Sequence, residues 1–353
     1  MVLRVGIDIT PLVGPPTGIH QHTRHLTDAL LSRDDVTVSG WLLSARGRKP
    51  RFAGPIRRSP IPASPAARLW ARGSWPGRRT IAGAVDVVHG VNFLAPPAGT
   101  SVVTIQDLTP LTRPDLVELT VAAKAPAIRR ILDSDAWIHT SSQAVAAELA
   151  DLGRTERVRV IHHGLRPPAP TEPGTGAKVA GFDRYVLVLG TTERRKRVPV
   201  IISAMAAVDD DIGLVIAGPA GNDEAAIDRA IADTGLGRRV HRLIAVDDAA
   251  RDALVRDATV LVLAAGYEGF GFTPLEAAAV GTAVVATAVG ALPELVGDLL
   301  HLADPADTDL GPLLAAACED PTVPMALTTR LQDLTWTAHA DAMVELYRLA
   351  ANS

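Results

Sequence analysis

Residues 258 to 281, ATVLVLAAGYEGFGFTPLEAAAVG, constrain the fold more than any other stretch of this 353-residue chain. ATVLVLA, 258 to 264, is a short apolar run with no polar alternation, the pattern of a strand buried on both faces of a parallel sheet. A turn carrying Gly269 and Gly271 follows, where the missing Cβ allows conformations and close approaches closed to other residues. Thr273 is a natural N-cap and Pro274 suits the first helical position, so the spacing predicts a helix over Leu275 to Val280, with Gly281 as its stop.

A helix start presents unpaired N–H groups and the positive end of its dipole, which together favour an anion such as phosphate. Glu276 falls in the first turn of this helix and Glu268 on the loop in front of it. A carboxylate beside an anion is unfavourable unless it accepts hydrogen bonds from neutral hydroxyls. Sugar hydroxyls meet that requirement, a ribose for Glu276 and a hexose for Glu268. Singly, each feature has a plainer reading: glycine turns are common in parallel α/β folds, and a Glu in a first helical turn is often only a dipole partner.

Together, GYEGFGFTPLEA, GTAVVAT and LPEL resemble the donor-binding signature of the family 4 glycosyltransferases, whose Glu-x7-Glu motif aligns with Glu268 and Glu276. The resemblance implies a GT-B fold: α/β, with two Rossmann-like doubly wound domains facing a central cleft. It implies transfer of a hexosyl group from a nucleoside-diphosphate sugar to a hydroxyl acceptor with retention of anomeric configuration. It covers nearly the whole chain, most closely from 184 to 305 and least from 44 to 84. It divides the chain into an acceptor-binding domain over 1–166, a linker over 167–183, a nucleotide-sugar-binding domain over 184–335, and a helix over 336–353 that crosses back to the first domain. Gly269, Phe270, Gly271, Phe272, Thr273 and Leu275 come with Glu276 as donor-binding positions.

The length allows two separate cores. At 47% hydrophobic and 21% charged, the composition is that of a soluble globular protein, and no apolar run reaches the roughly 18 residues a membrane span needs. MVLRVGIDIT is too short and too acidic for a secretory leader, which makes the cytoplasm the expected compartment. The single cysteine, Cys318, excludes an intrachain disulfide and a thiolate zinc cluster, and reads as a small buried residue in the helical run LLAAAC. Charge is uneven. Residues 1 to 170 hold 21 Lys and Arg against 13 Asp and Glu, a net of +8, and the remainder 14 against 26, a net of −12. That asymmetry suits either a polyanionic partner for the first half or complementary surfaces across a cleft.

VLRVGIDI, 2 to 9, reads as the first strand. A loop shaped by Gly14, Pro15, Pro16 and Gly18 then enters a helix near Gly18 or Ile19, and the resemblance assigns that loop to the acceptor side of the cleft. On this helix His22 and His25 share a face while His20 points elsewhere, and no carboxylate completes a metal set. All three therefore read as surface or cleft-lining histidines, with His20 nearest a substrate.

After the strand VTVSGWLL, 36 to 43, Arg46 to Arg79 holds nine Arg and one Lys without an acidic residue, and Trp70 and Trp75 stand among them. Such a segment can hold a membrane surface or an anionic acceptor at its cations and indoles. The plainer reading is a solvated Pro-rich loop and a short helix, RLWARGSW, whose tryptophans pack on the domain. No nucleic-acid motif accompanies the charge.

VDVVHG, 85 to 90, and SVVTIQDL, 101 to 108, are the next strands. The carboxyl ends of strands border the ligand crevice in doubly wound sheets, which places His89, Asn92, Gln106 and Asp107 there, although Asp107 can equally cap the following turn. The resembled family commonly has His-Asp at the second of these sites, and its histidine borders the donor sugar. Gln106 can donate to a sugar hydroxyl but cannot change protonation near neutral pH. Asp133-Ser-Asp135 looks like an Asp-x-Asp metal motif, but it ends the helix APAIRRILDSD and is read as accidental. His163-Gly164, in VRVIHHGL, stands where the family closes its first domain.

The second half restarts the pattern with RYVLVLG, 184 to 190, then TTERRKR and the helix VPVIISAMAAV. Arg194 to Arg197 at a strand's carboxyl end suit a diphosphate, whose charges are met best by Lys and a forked Arg. The family segment Gly-x-x-x-Pro-Arg-Lys gives the diphosphate role to Arg195 and Lys196, with Gly190 in the turn and Thr191 where some members carry a further Arg. Arg194 and Arg197 read as solvated. GLVIAGPAG, 213 to 221, brings Gly218 to the same crevice, and VHRLIAV, 240 to 246, brings Val246, whose backbone meets the nucleotide base in the family. From Asp320 the chain reads as irregular until a final helix over Trp336 to Leu349.

Glycosyl transfer needs a stabilised leaving group, an oxocarbenium-like centre and a deprotonated acceptor hydroxyl. Arg195, Lys196 and the helix start at 273–276 answer the first need without a divalent metal, and Glu268 holds hydroxyls of the transferred sugar. A glycosidase-type nucleophile needs a second carboxyl roughly 5 Å away, and Asp107 is the one cleft-loop carboxylate offered. A sugar-nucleotide epimerase or hydrolase shares the same cleft. A non-catalytic nucleotide-sugar-binding partner subunit fits Gln106 and Thr191 but not the retained Glu268, Arg195, Lys196 and Glu276. A dinucleotide-dependent dehydrogenase lacks its Gly-x-Gly-x-x-Gly. The acceptor-side loops carry no transferable code, so glycan, lipid and secondary-metabolite acceptors all fit.

Overall fold

The computed structural model describes residues 2–14, 17–44, 50–73, 75–97 and 99–353. Pro15 and Pro16, and Arg46, Arg48 and Lys49 of the basic segment, lie outside the described residues. The chain forms two compact units, Met1–Gly164 with Thr335–Ser353, and Leu165–Leu334.

The first unit is built on seven strands: β1 (Leu3–Asp8), β2 (Val36–Leu43), β3 (Ile56–Ser59), β4 (Val87–Gly90), β5 (Ser101–Thr104), β6 (Trp137–Thr140) and β7 (Val158–Val160). Their order is β3-β2-β1-β4-β5-β6-β7, and every pair is parallel. The order reverses between β1 and β4, whose register pairs Ile7 with His89. The helix Gly18–Leu31 and the carboxyl-terminal helix Trp336–Ala351 share one apolar layer with the sheet through Leu26, Leu30, Met343, Val344 and Tyr347. The layer on the other face holds Trp41, Trp70, Ile105 and Ile128.

The second unit repeats the plan with β8 (Arg184–Leu189), β9 (Ile212–Ala217), β10 (Val240–Leu243), β11 (Val260–Leu263), β12 (Ala283–Thr287) and β13 (Leu302–Ala303). The order is β10-β9-β8-β11-β12-β13, again all parallel, with the reversal between β8 and β11. In such sheets the carboxyl ends at the reversal border the ligand crevice. For this unit those ends carry Gly190 and the turn that leads to Glu268.

Several elements depart from the sequence reading. The basic segment contributes an edge strand, β3, whose Arg57 and Arg58 are exposed, and charged residues suit an unpaired sheet edge. Its helix spans Ala63–Arg72, with Trp70 buried and its Nε1–H donating to the Pro76 carbonyl at 2.9 Å, whereas Trp75 is 64% exposed. Only one of the two tryptophans therefore packs on the domain.

The linker contains a helix, Thr175–Ala180, where none was expected. It lies between Gly174 and Gly181, both left-handed, and Gly176 lets it touch the helix Asp248–Asp257: a Cβ there would sit 2.2 Å from the Ala253 carbonyl oxygen. The stretch after Asp320 is not irregular throughout, because Met325–Gln332 is helical and buries Leu327 and Leu331 at i,i+4 spacing. Cys318 is buried in the helix Gly311–Glu319, as its surroundings suggested. Among the described residues no helix is long and apolar enough to cross a membrane.

Candidate functional site

β8 is followed by Gly190, whose φ of +123° suits only glycine. Its N–H donates to the Ala217 carbonyl at 2.8 Å, and β9 is followed by Gly218, where a Cβ would lie 2.4 Å from the Gly190 carbonyl oxygen. Two glycines in close contact thus open the end of the sheet. The chain then turns through a short 3-10 segment, Arg194–Lys196, and folds Lys196 back over it: a Cβ on Gly190 would lie 2.4 Å from Lys196 Nζ. The Lys196 backbone N–H donates to the Glu193 carbonyl at 2.8 Å, but its ammonium has no hydrogen bond or ion pair among the described residues. Burial lowers its pKa, and Arg195 adds to that, while Glu268 and Glu193 oppose it.

Arg195 lies between two carboxylates, with NH1 at 2.7 Å from Glu268 and Nε at 2.7 Å from Glu193. Burial would raise the Glu268 pKa, but Arg195, Lys196 and the Gly269 N–H outweigh it and hold the carboxylate below its ordinary range. The backbone locks the two segments together through the Gly266 N–H, which donates to the Arg195 carbonyl at 2.8 Å. Arg197 is not a solvated cation: it donates to the carbonyls of Pro305 and Asp307. Arg194 is exposed, as expected.

The helix after the turn begins earlier than its sequence suggested. It spans Phe272–Ala278, seven residues, and its N-cap is Gly271 in the left-handed region at φ +96°, not Thr273. A Cβ at Gly271 would meet Leu292 at 3.1 Å, so packing from the next helix sets the entry angle. Phe270 and Phe272 pack ring against ring at 4.8 Å.

Glu276 is buried in a network the sequence did not reveal. One carboxylate oxygen accepts from the Arg166 backbone N–H at 3.2 Å and the other is paired with Arg251. Arg251 also donates to Asp252 at 2.9 Å, and Arg166 grips Asp252 with two bonds of 2.8 and 3.0 Å. Burial pushes the Glu276 pKa up, and the two arginines offset part of that rise. Arg166, the residue before the linker, and Arg251, on the helix Asp248–Asp257, are side chains whose roles depend on tertiary contact and leave no motif. A hollow lined by Arg184, Thr259, Ala283 and Cys318 opens at the opposite, amino ends of these strands, away from Glu268 and Lys196.

In the first unit, the candidate residues separate into turn, core and surface. Gly18 opens its helix, and His20 is half-buried. Asp107 accepts from the Thr109 N–H at 2.9 Å, the capping alternative left open above. His89 does not line a crevice. It is fully buried, with Nδ1 taking the Tyr347 hydroxyl at 2.7 Å and Nε2 at 2.7 Å from Thr104 Oγ1, so neither nitrogen is offered to a ligand. Thr104 passes the chain on to His139 Nδ1 at 2.9 Å, and His139 Nε2 ends it on the Ile161 carbonyl at 3.0 Å.

Gln106 is half-buried and turned toward two rings, His22 Nδ1 at 3.2 Å and His163 Nε2 at 2.9 Å. His22 is fully buried, contrary to a surface or cleft-lining placement, and His25 stacks on Trp336 at 5.1 Å. Asp8, at the carboxyl end of β1, was not singled out by sequence. Its burial pushes the carboxyl up to about 6 against hydrogen bonds from Thr10 and the charge of Lys124.

Residues 178–328 match the family of glycosyl transferases group 1. Over 225 residues the chain is 31% identical to a D-inositol 3-phosphate glycosyltransferase of Mycolicibacterium gilvum, covering 59% of this chain and 50% of that protein. It is 27% identical over 237 residues to O-antigen chain mannosyltransferase B of Escherichia coli, covering 63% and 62%. The chain thus spans about half to three fifths of the length of these relatives. Among solved structures, sucrose-phosphate synthase from Thermosynechococcus elongatus superposes with a TM-score of 0.79 at 20% identity, covering 99% of this chain and all of that one. Anabaena HepE in complex with UDP gives 0.70 at 18% identity, covering 97% and 98%. Residues 178–328 thus carry a glycosyl transferases group 1 domain, and with two parallel doubly wound sheets in the manner of these neighbours the chain has the GT-B fold.

Proposed function

We propose that the chain is a retaining glycosyltransferase that moves a hexosyl group from a nucleoside-diphosphate sugar to a hydroxyl acceptor. The observation that carries this reading is Lys196, a half-buried ammonium that has no hydrogen bond or ion pair among the described residues, set beside Arg195 at the sheet reversal. Holding a cation this way costs stability in the free protein, and an arriving diphosphate neutralises it. The family match covers this segment, and one structural neighbour was solved with UDP, which makes a UDP-sugar the first donor to test.

In this reading the bond from the sugar's anomeric carbon to the diphosphate oxygen breaks while Arg195 and Lys196 take the developing charge, with no divalent ion needed for that task. Glu268, already oriented by Arg195 and the Gly269 N–H, holds hydroxyls of the transferred sugar. Glu276 keeps acceptor capacity beyond its two bonds, because a carboxylate offers about four lone-pair sites, and that capacity goes to the ribose. The acceptor hydroxyl attacks on the donor's own face and yields its proton to the leaving phosphate.

Gly18, His20, Gln106 and Asp107 belong to the acceptor and sugar side, with His163 buried behind Gln106. Exposed Arg51, Arg57, Arg58 and Arg79 with exposed Trp75 suit peripheral contact with an anionic membrane surface, on the cytoplasmic side. Incubation of the pure protein with UDP-, GDP-, ADP- and dTDP-hexoses without acceptor tests the reading. Slow release of one nucleoside diphosphate, accelerated by an acceptor, supports it; fast release marks a hydrolase, and tight binding with no release marks a partner subunit.

A further inference from the structure

We propose that His22, His163 and His339 form a binding site for a zinc-class transition-metal ion inside the first unit. The rings come from three separate stretches: the helix Gly18–Leu31, the segment after β7, and the carboxyl-terminal helix Trp336–Ala351. Each offers one ring nitrogen, and the three nitrogens lie within 4.8 Å of one another. All three residues are buried. Nε2 of His22 and Nε2 of His339 have no hydrogen-bond partner among the described residues, a condition that is rare and costly for a buried polar atom. Imidazole trios suit Zn²⁺, Co²⁺ and Ni²⁺, and burial favours the neutral form that ligates.

The second ring nitrogens show how the site is oriented. His339 donates from Nδ1 to the His162 carbonyl at 2.8 Å, which leaves the lone pair on Nε2, the arrangement that ligating histidines adopt. His163 donates from Nε2 to Gln106 Oε1 at 2.9 Å, so its lone pair is on Nδ1. His139, although nearby, is outside the set because Thr104 and Ile161 occupy both its nitrogens.

His22 is the ring that must change. Its Nδ1 accepts from the Gln106 amide at 3.2 Å, which puts the proton on Nε2. Ligation through Nε2 moves that proton to Nδ1 and turns an acceptor into a donor facing an amide N–H, so Gln106 leaves His22 when metal binds. Metal–nitrogen bonds of about 2.0–2.1 Å set tetrahedral nitrogens about 3.4 Å apart, so the rings close by roughly 1 Å. Three protein ligands leave a fourth position for water. The ion would fasten the carboxyl-terminal helix to the first helix of the same unit, and its binding is read without any transferase assay. A buried water could satisfy the same nitrogens, and it is the competing occupant.

The test is a titration of chelator-stripped full-length protein with Co²⁺, followed by visible absorbance and by displacement with Zn²⁺. The proposal expects one Co²⁺ per chain, displaced by one Zn²⁺, with a rise of several degrees in the thermal midpoint. His22→Gln and His339→Gln should each weaken binding at least tenfold, and His301→Gln, an exposed histidine of the second unit, should leave it unchanged. Gln106→Glu should tighten binding about tenfold or more, because a carboxylate accepts from both His22 and His163; this gain does not depend on how the histidine variants fold. X-ray absorption of the zinc-loaded wild type should show three imidazoles, and it needs no variant. No stoichiometric metal, fewer than three imidazoles, or binding indifferent to Gln106→Glu would overturn the proposal and leave water as the occupant.

Discussion

Lys196 folds its ammonium back onto the α-carbon of Gly190, so closely that a β-carbon at that position would lie 2.4 Å from Nζ. Gly190 therefore does two things at once: it adopts φ +123°, and it leaves room for an ammonium that has no ion pair among the described residues. Gly190→Ala should cost about 1–3 kcal/mol from backbone strain and displace Lys196. The expected outcome is a lower thermal midpoint together with weaker nucleotide binding, read by calorimetry on both proteins.

Glu276 depends on Arg251. Removing the arginine leaves a carboxylate of which 9% of the side chain is exposed, held by one backbone N–H. Arg251→Leu should destabilise the protein by about 3 kcal/mol, the low end for breaking a buried pair. The double variant Arg251→Leu/Glu276→Gln should recover most of that loss, because no charge is left stranded. Equal denaturation midpoints for the single and double variants would show that the pair is not the source of the effect.

Asp8 gives a pH signature with a definite sign. Its folded pKa of about 6 lies above its ordinary value of 3.8, because burial penalises the charged form more than Thr10 and Lys124 favour it. The folded chain thus binds more protons across that window, so this carboxyl's unfavourable contribution is absent below 3.8, grows as pH rises, and is complete above 6. Asp8→Asn keeps an oxygen for the Thr10 N–H and should be stabilising at pH 8 by an amount on the order of 2–3 kcal/mol. The gain should shrink steadily toward pH 4.5 in parallel melts; a gain that does not vary with pH would refute the assignment.

The basic face of the first unit bears Arg57 and Arg58 on the edge strand β3, with Arg78 and Arg79 on a short helix. If it holds an anionic membrane, the protein should co-sediment with phosphatidylserine vesicles at low salt. Neutralising those four arginines should abolish that binding, each charge contributing about 1 kcal/mol near the surface. Absence of binding in the wild type removes the membrane from the account.

The fold was legible wherever burial on two faces wrote continuous apolar runs. VTVSGWLL matches β2 residue for residue, and ATVLVLA brackets β11. What escaped was set by tertiary contact. β3 is an edge strand whose IRRS carries no apolar run, and Thr175–Ala180 is helical because Gly176 meets the neighbouring backbone. In the site, Glu268, Arg195 and Lys196 could be picked out because glycines and a cation cluster mark the strand ends. Arg166 and Arg251 could not, since an arginine at a domain's end or on an amphipathic helix looks solvated until its buried partner is known. The histidines were misplaced for the same reason: His22 looked like a surface ring until His163 and His339, far away in sequence, closed over it.

The central claim is that Lys196 waits for a diphosphate. The most direct test is the thermal midpoint of wild type, Lys196→Met and Glu276→Ala against UDP, GDP, ADP and dTDP in EDTA. A nucleotide at about 100 times its dissociation constant adds roughly 2.7 kcal/mol, a shift of several degrees. The account predicts that one nucleotide stabilises the wild type. It predicts a midpoint for nucleotide-free Lys196→Met that is unchanged or higher, because an ammonium that burial disfavours is gone, and little or no shift of that variant with nucleotide. Glu276→Ala should shift less than wild type. No shift with any nucleotide, or a full shift in Lys196→Met, would contradict it.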